Sequence, residues 1–172
     1  MIKTHVALLR AVNVGGTGKL AMADLRALCE AAGFTQVRTY LASGNLILQS
    51  KLSAREAQAV LEGRLAAFAG KPFGVLLRTP RQMAEVLADN PFKHGAPNRT
   101  VAIFLEVPPG PGALQGVTGQ RGEEIALGCC EIYVHYRAGM AQSKLRIPAA
   151  QAGTARNMKT VAKLAEMARA LA

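Results

Sequence analysis

Tryptophan is absent from the 172 residues and aromatics make up only 5%. Few rings are left on which unpaired bases could stack, so an ordinary RNA-recognition module is not expected. Acidic residues are also scarce, at 11 Asp+Glu against 21 Lys+Arg, a formal charge of +10 that draws polyanions and phosphorylated ligands by long-range attraction. The three cysteines, Cys29, Cys129 and Cys130, make neither an even disulfide framework nor a CxxC pair. Free thiols in a reducing compartment fit that usage. His5, His94 and His135 are widely separated, so no HxxxH or Cys/His spacing builds a metal site, and no metal or cofactor is expected. No apolar run approaches the ~18 residues of a bilayer span. The amino-terminal apolar stretch is broken by Lys3, His5 and Arg10, unlike a secretory leader. A cytoplasmic globular protein with no membrane partner is expected.

The hydrophobic pattern is that of short strands alternating with helices. Residues 5–14 read as a strand buried on both faces, 20–32 as a helix ended by Gly33, and 37–42 and 46–49 as a hairpin around Ser43-Gly44-Asn45. Ser53 with Glu56 forms a capping box opening a helix to about Ala69, and 73–78 reads as a strand. The order β-α-β-β-α-β is the ferredoxin-like, split βαβ arrangement. Thr79 then caps a helix with Pro80 at its first position. A second series follows: a strand at 100–107, a short helix after the breakers 108–112, paired strands at 124–128 and 132–136, and a closing helix from Thr154 to about Leu171. The expected fold is α+β, with antiparallel or mixed sheets in two ferredoxin-like halves, residues 1–79 and 80–172, forming one compact, duplicated unit.

Motifs of established chemistry are incomplete. Gly16-Thr17-Gly18-Lys19-Leu20-Ala21 fits G-x-G-x-x-A, yet no Asp or Glu occurs between Glu30 and Glu56 to hold a ribose, and a hairpin follows where a dinucleotide fold needs a parallel return. A Walker A loop would need Gly where Asn13 stands and Ser or Thr where Leu20 stands. What the loop does offer is flexible amides at Gly15, Gly16 and Gly18, with Lys19, ahead of a helix, a set suited to a phosphate or carboxylate. From Ile132 onward seven basic residues face only Glu166. With a helix starting at Thr154, Arg156 and Asn157 fall in its first turn, and Arg156, Lys159 and Lys163 line one helix face. No GxSxG elbow occurs, and Ser43 is a nucleophile only if His5 or His135 reaches it in space.

The segment Ala7-Leu-Leu-Arg-Ala-Val-Asn-Val-Gly-Gly16, with Lys19, Met22, Leu25, Gly33-Phe34 and Thr39-Tyr-Leu-Ala-Ser-Gly-Asn45, resembles the amino-terminal signature of the bacterial family called domain of unknown function 1697. Asn90-Pro-Phe92 is similar to that family's central motif, and Thr154-Ala-Arg-Asn157 with Thr160 to its T-x-R-N-x-x-T element. Ala11 stands where the family commonly has Gly, and Met158 where it often has Trp, which puts a stacking role there in question. The resemblance implies two α+β halves of ferredoxin-like character and assigns no activity.

The polar motif residues Arg10, Asn13, Lys19, Ser43, Asn45, Arg156 and Asn157, with the glycines at 15, 16 and 18 and the basic face of Lys159 and Lys163, are the kinds expected around an anion. Three functions fit them: a binding protein for a phosphorylated small molecule or a nucleic acid, an enzyme acting on a small anionic substrate between the halves, and a protein-interaction module. A polar network that merely joins the halves fits the motif residues equally well. Oligomeric state is not encoded in these features.

Overall fold

The computed structural model describes residues 1–10, 20–40 and 44–172. They form an α+β protein with two four-stranded antiparallel sheets and four α-helices. The chain divides into two compact units, Met1–Met83 with Leu164–Ala172, and Ala84–Lys163.

In the first unit the order is β1 (Lys3–Leu9), α1 (Met22–Ala31), β2 (Thr35–Tyr40), β3 (Asn45–Ser50), α2 (Ala54–Ala69) and β4 (Val75–Arg78), with the strands arranged β2-β3-β1-β4. β1 is buried from Thr4 to Leu9, as expected of a strand covered on both faces. Its alternate residues Ala7 and Leu9 join Leu46 and Leu48 of β3 against Leu25 and Cys29 of α1 and Leu61 and Leu65 of α2. The capping box of α2 is present: the Glu56 amide donates to Ser53 Oγ at 3.3 Å, and the Ser53 amide to Glu56 Oε2 at 2.8 Å. α1 ends at Gly33, whose φ of +94° is costly for any residue with a Cβ. β2 and β3 pair antiparallel as expected, but Tyr40 pairs with Asn45, so Asn45 opens β3 and is not part of the turn. The strand reading of residues 11–14 lies outside the described residues.

α3 (Pro80–Ala88) starts as expected, with Thr79 Oγ1 accepting from the Gln82 amide at 3.1 Å. The second sheet holds β5 (Thr100–Phe104), β6 (Glu124–Leu127), β7 (Glu131–His135) and β8 (Thr154–Asn157), arranged β6-β7-β5-β8 and followed by α4 (Met158–Leu171). Val101, Ile103, Ile132 and Val134 form the core of one face with Leu105 and Ile147. On β7 the buried Tyr133 donates its hydroxyl to Val86 O at 2.8 Å.

Two expectations are corrected here. The short helix after 108–112 is replaced by turns, because Pro108, Pro109 and Pro111 with Gly110, Gly112 and Gly116 interrupt any α-helical hydrogen-bond ladder. The closing helix begins at Met158 and not at Thr154, because residues 154–157 pair with β5, placing Ala102 opposite Arg156 and Phe104 opposite Thr154. Strand pairing overrides the local capping signal, and the second series runs β-β-β-β-α.

Candidate functional site

The start of α4 gathers several polar and basic side chains of the second unit. Asn157 caps the helix by accepting the Thr160 amide at 2.9 Å, satisfying one of the amides that a helix start leaves open. Because residue 156 is in a strand, Arg156 leaves the solvent line of Lys159 and Lys163, and the expected basic face loses that member. Its guanidinium turns inward, donating to Thr154 Oγ1 at 2.6 Å and to Ala155 O at 3.0 Å. Burial pulls its pKa down to about 10, since the charged form loses hydration. Lys159 and Lys163 are exposed.

A groove of about 390 Å³ opens beside this helix start, between the end of α3 and the first turns of α4. Leu87, Pro97, Met158 and Ala162 supply its apolar wall, while Asn90, Lys93 and Lys159 bring polar groups to it. Asn90 is held by its own turn, its Oδ1 accepting the Phe92 amide at 2.9 Å. Neither Lys93 nor Lys159 makes an ion pair with a described residue. Two ammonium groups against an apolar wall can hold an anionic group attached to an apolar body.

Gly95 also lines the groove and packs under the imidazole of His135. Phe92 stacks on that ring with centroids 5.9 Å apart, and His94 meets it edge-on, also at 5.9 Å. Thr100 ties the ring to the backbone. Its Oγ1 hydrogen-bonds His135 Nδ1 at 3.0 Å and lies 3.3 Å from Ala96 O; when the hydroxyl proton is on Ala96 O, Nδ1 carries the ring proton and Nε2 of the neutral ring the lone pair. Nearby, Glu124 lies 3.9 Å from His94 Nε2 and accepts from Arg137 at 2.6 Å, a hydrogen bond that holds its carboxyl below the usual range.

Of the sequence-predicted residues in the first unit, Arg10 and Asn45 come to one end of the sheet. Asn45 pairs with Leu8, and the Leu9 amide donates to Gly44 O at 2.9 Å. Asn45 is fully buried and donates its Nδ2 to Tyr40 O at 2.8 Å, closing the β2–β3 connection. The Arg10 amide donates to Gly74 O at 2.9 Å, and its aliphatic stem packs on Gly74. Asn13, Gly15, Gly16, Gly18, Lys19 and Ser43 lie outside the described residues. Arg156, Asn157, Lys159 and Lys163 belong to the second unit.

Sequence reasoning missed Asn90 and Lys93 as groove residues, and it named His135 only as a candidate partner for Ser43, not for Thr100. The Asn90-Pro91-Phe92 turn signal lies beside Lys93, but nothing in the spacing of 93 and 159 shows that they share a groove. Among the described residues no cluster of His, Cys, Asp and Glu could hold a metal ion, and no helix is long and apolar enough to cross a membrane.

Residues 2–133 match a family model described as protein of unknown function (DUF1697). The chain is similar to a solved structure described as that of conserved bacterial protein SP0830 from Streptococcus pneumoniae, with 23% identity and a TM-score of 0.78 over 98% of this chain and 99% of that one. That likeness is one of fold. No curated protein matches the chain.

Proposed function

The chain belongs to the DUF1697 family of proteins of unknown function, and since membership assigns no activity we propose from the residues themselves that the second unit binds a phosphorylated small molecule bearing an apolar group. One observation carries this reading: Lys93 and Lys159 stand, without a described ion-pair partner, at the edge of an otherwise largely apolar groove. Lys159 lies in the first turn of α4, where the helix dipole adds to the attraction for an anion. The excess of basic residues supports capture at long range. Arg10 and Asn45, with Asn13, Gly15, Gly16, Gly18, Lys19 and Ser43, are carried in the proposal as first-unit candidates for an anion. The proposal also reads the two sheets as duplicated ferredoxin-like halves, supported by the shared arrangement in which the second, third, first and fourth strands of each lie side by side. It places the protein in the cytoplasm, in keeping with three cysteines that form no disulfide.

A thermal-shift panel of nucleotides, sugar phosphates, aryl phosphates and short DNA and RNA tests the proposal, because a ligand that binds only the folded state raises Tm with its concentration. An aryl or nucleoside phosphate is expected to raise Tm in the natural chain and not in Lys93→Glu with Lys159→Glu. Stabilisation by DNA or RNA alone, lost steeply with salt and in Lys159→Glu with Lys163→Glu, would replace the proposal with backbone binding of nucleic acid. A second reading, catalysis on the bound anion, is favoured by His135, whose imidazole packs on the groove residue Gly95. It requires turnover of an aryl phosphate that is lost in His135→Gln, and absence of turnover in the natural chain rejects it.

A further inference from the structure

Cys129 and Cys130 are the two central residues of the tight turn that joins β6 to β7. Leu127 pairs with Ile132, and the Gly128 amide donates to Glu131 O at 2.7 Å, so only these two residues form the connection. The turn is held from both sides: Cys130 O accepts the Leu105 amide at 2.9 Å, and the Cys130 amide donates to a carboxylate oxygen of the buried Glu131 at 2.8 Å. Cys129 is exposed and Cys130 half-buried, so neither residue of the turn is closed off from solvent. The third cysteine differs in kind. Cys29 is fully buried in the first core, and burial pushes its thiol up to about 12.

Two neighbouring thiols on a fixed turn have two ways to react together. Direct joining is unfavourable, because adjacent Cα atoms lie about 3.8 Å apart across a trans peptide, inside the ~4.4 Å lower limit of ordinary disulfides. A bridging third atom removes that conflict by letting the sulfurs stand further apart. Thiolates are also the ligands that select soft, thiophilic centres over hard ones.

We propose that Cys129 and Cys130 form a dithiol site for a soft, thiophilic metalloid, with trivalent arsenic as the representative ligand. With an organoarsenic(III) oxide the two sulfurs form two S–As bonds, and the As–O bonding is lost. The two thiol protons leave with that oxygen as one water, and arsenic stays trivalent. No oxidant is consumed. This inference is independent of the groove, and its test does not use a phosphorylated ligand.

The experiment treats the fully reduced protein with one equivalent of phenylarsine oxide and reads the intact mass of the folded chain. One adduct per chain is expected, resistant to excess monothiol and stripped by 2,3-dimercaptopropanol. It should persist in Cys29→Ser and disappear in Cys129→Ser and in Cys130→Ser, each of which should still be alkylated once at its remaining turn thiol, showing that the turn is intact. An adduct that survives Cys129→Ser, or natural protein that is alkylated at both turn thiols yet takes up no arsenical, would overturn the proposal. So would ready closure of a 129–130 disulfide in air, because the argument rests on that bond being disfavoured.

Discussion

Gly95 lies so close beneath the His135 ring that a Cβ at position 95 would stand 2.8 Å from Nδ1 and 2.9 Å from Nε2. The ring cannot retreat freely, because Phe92 stacks on it and Thr100 holds its Nδ1. Gly95→Ala is therefore expected to destabilise the protein by about 1–3 kcal/mol through overpacking. Chemical denaturation of Gly95→Ala, His135→Ala and the double variant checks the cause. The double variant should lose less than the sum of the two single losses, since the clash disappears with the ring. Additive losses would place the cost of the methyl group elsewhere.

Thr100→Val keeps the shape of that side chain and removes its oxygen. The hydrogen bond to His135 Nδ1 is then lost, and the expected cost is about 1–3 kcal/mol, the penalty of a buried polar group left without its partner. Thr100→Ser keeps the oxygen and should recover most of the loss in the same unfolding measurement. Equal losses in both variants would show that packing of the methyl group, not the hydrogen bond, is what Thr100 contributes.

Removing the α4 cap in Asn157→Ala should cost about 1 kcal/mol. Asn157→Asp retains the acceptor and adds a charge that the helix dipole favours, so stability should hold or rise. The same negative charge, two positions before Lys159, should weaken phosphate binding. Stability and affinity thus move in opposite directions in this one variant, which Tm with and without ligand can read.

His5 is buried in β1, with no hydrogen-bond partner of good geometry for either ring nitrogen. Burial lowers its pKa from the ordinary 6.5, opposed in part by the nearby Leu52 backbone. The unfolded chain therefore takes up this proton first as the pH falls. The stability that neutral His5 allows is fully present above pH 6.5 and is lost as the pH falls through the window below it. His5→Leu should flatten that part of the stability–pH curve without loss at pH 8, where it removes only a polar group lacking partners. An unchanged slope in His5→Leu would assign the pH dependence to other groups.

The elements of the first unit were legible because local signals and tertiary pairing agree there: the Ser53–Glu56 box caps α2, Gly33 ends α1, and β2 pairs with β3 across the hairpin. Around residue 154 they conflict. Thr154 followed by an apolar helical stripe is a sound capping signal, but it gives no indication that β5 has an open edge for residues 154–157 to pair with. The apolar residues at helical spacing from Met158 onward, Val161, Leu164, Ala165 and Ala168, are buried with it, while Leu171 at the end of the same row is only half-buried. Arg156 was legible as a special residue, although its surroundings are Thr154 Oγ1 and the Ala155 carbonyl in a strand and not the free amides of a helix start. The pairing of Lys93 with Lys159 across the groove depends on how α3 and α4 meet, a long-range property that no spacing encodes.

The central claim is that a phosphorylated ligand occupies the groove beside the start of α4. Phenyl phosphate, the smallest probe with both an anionic and an apolar part, can be titrated into ¹⁵N-labelled protein while every backbone amide is followed by NMR. Saturable shifts are expected at Asn90, Lys93, Gly95, Lys159 and Ala162, and they should vanish in Lys93→Glu with Lys159→Glu, whose remaining spectrum should stay that of the folded chain. Saturable shifts confined to other parts of the chain, or none at these five amides at millimolar probe, would contradict the account.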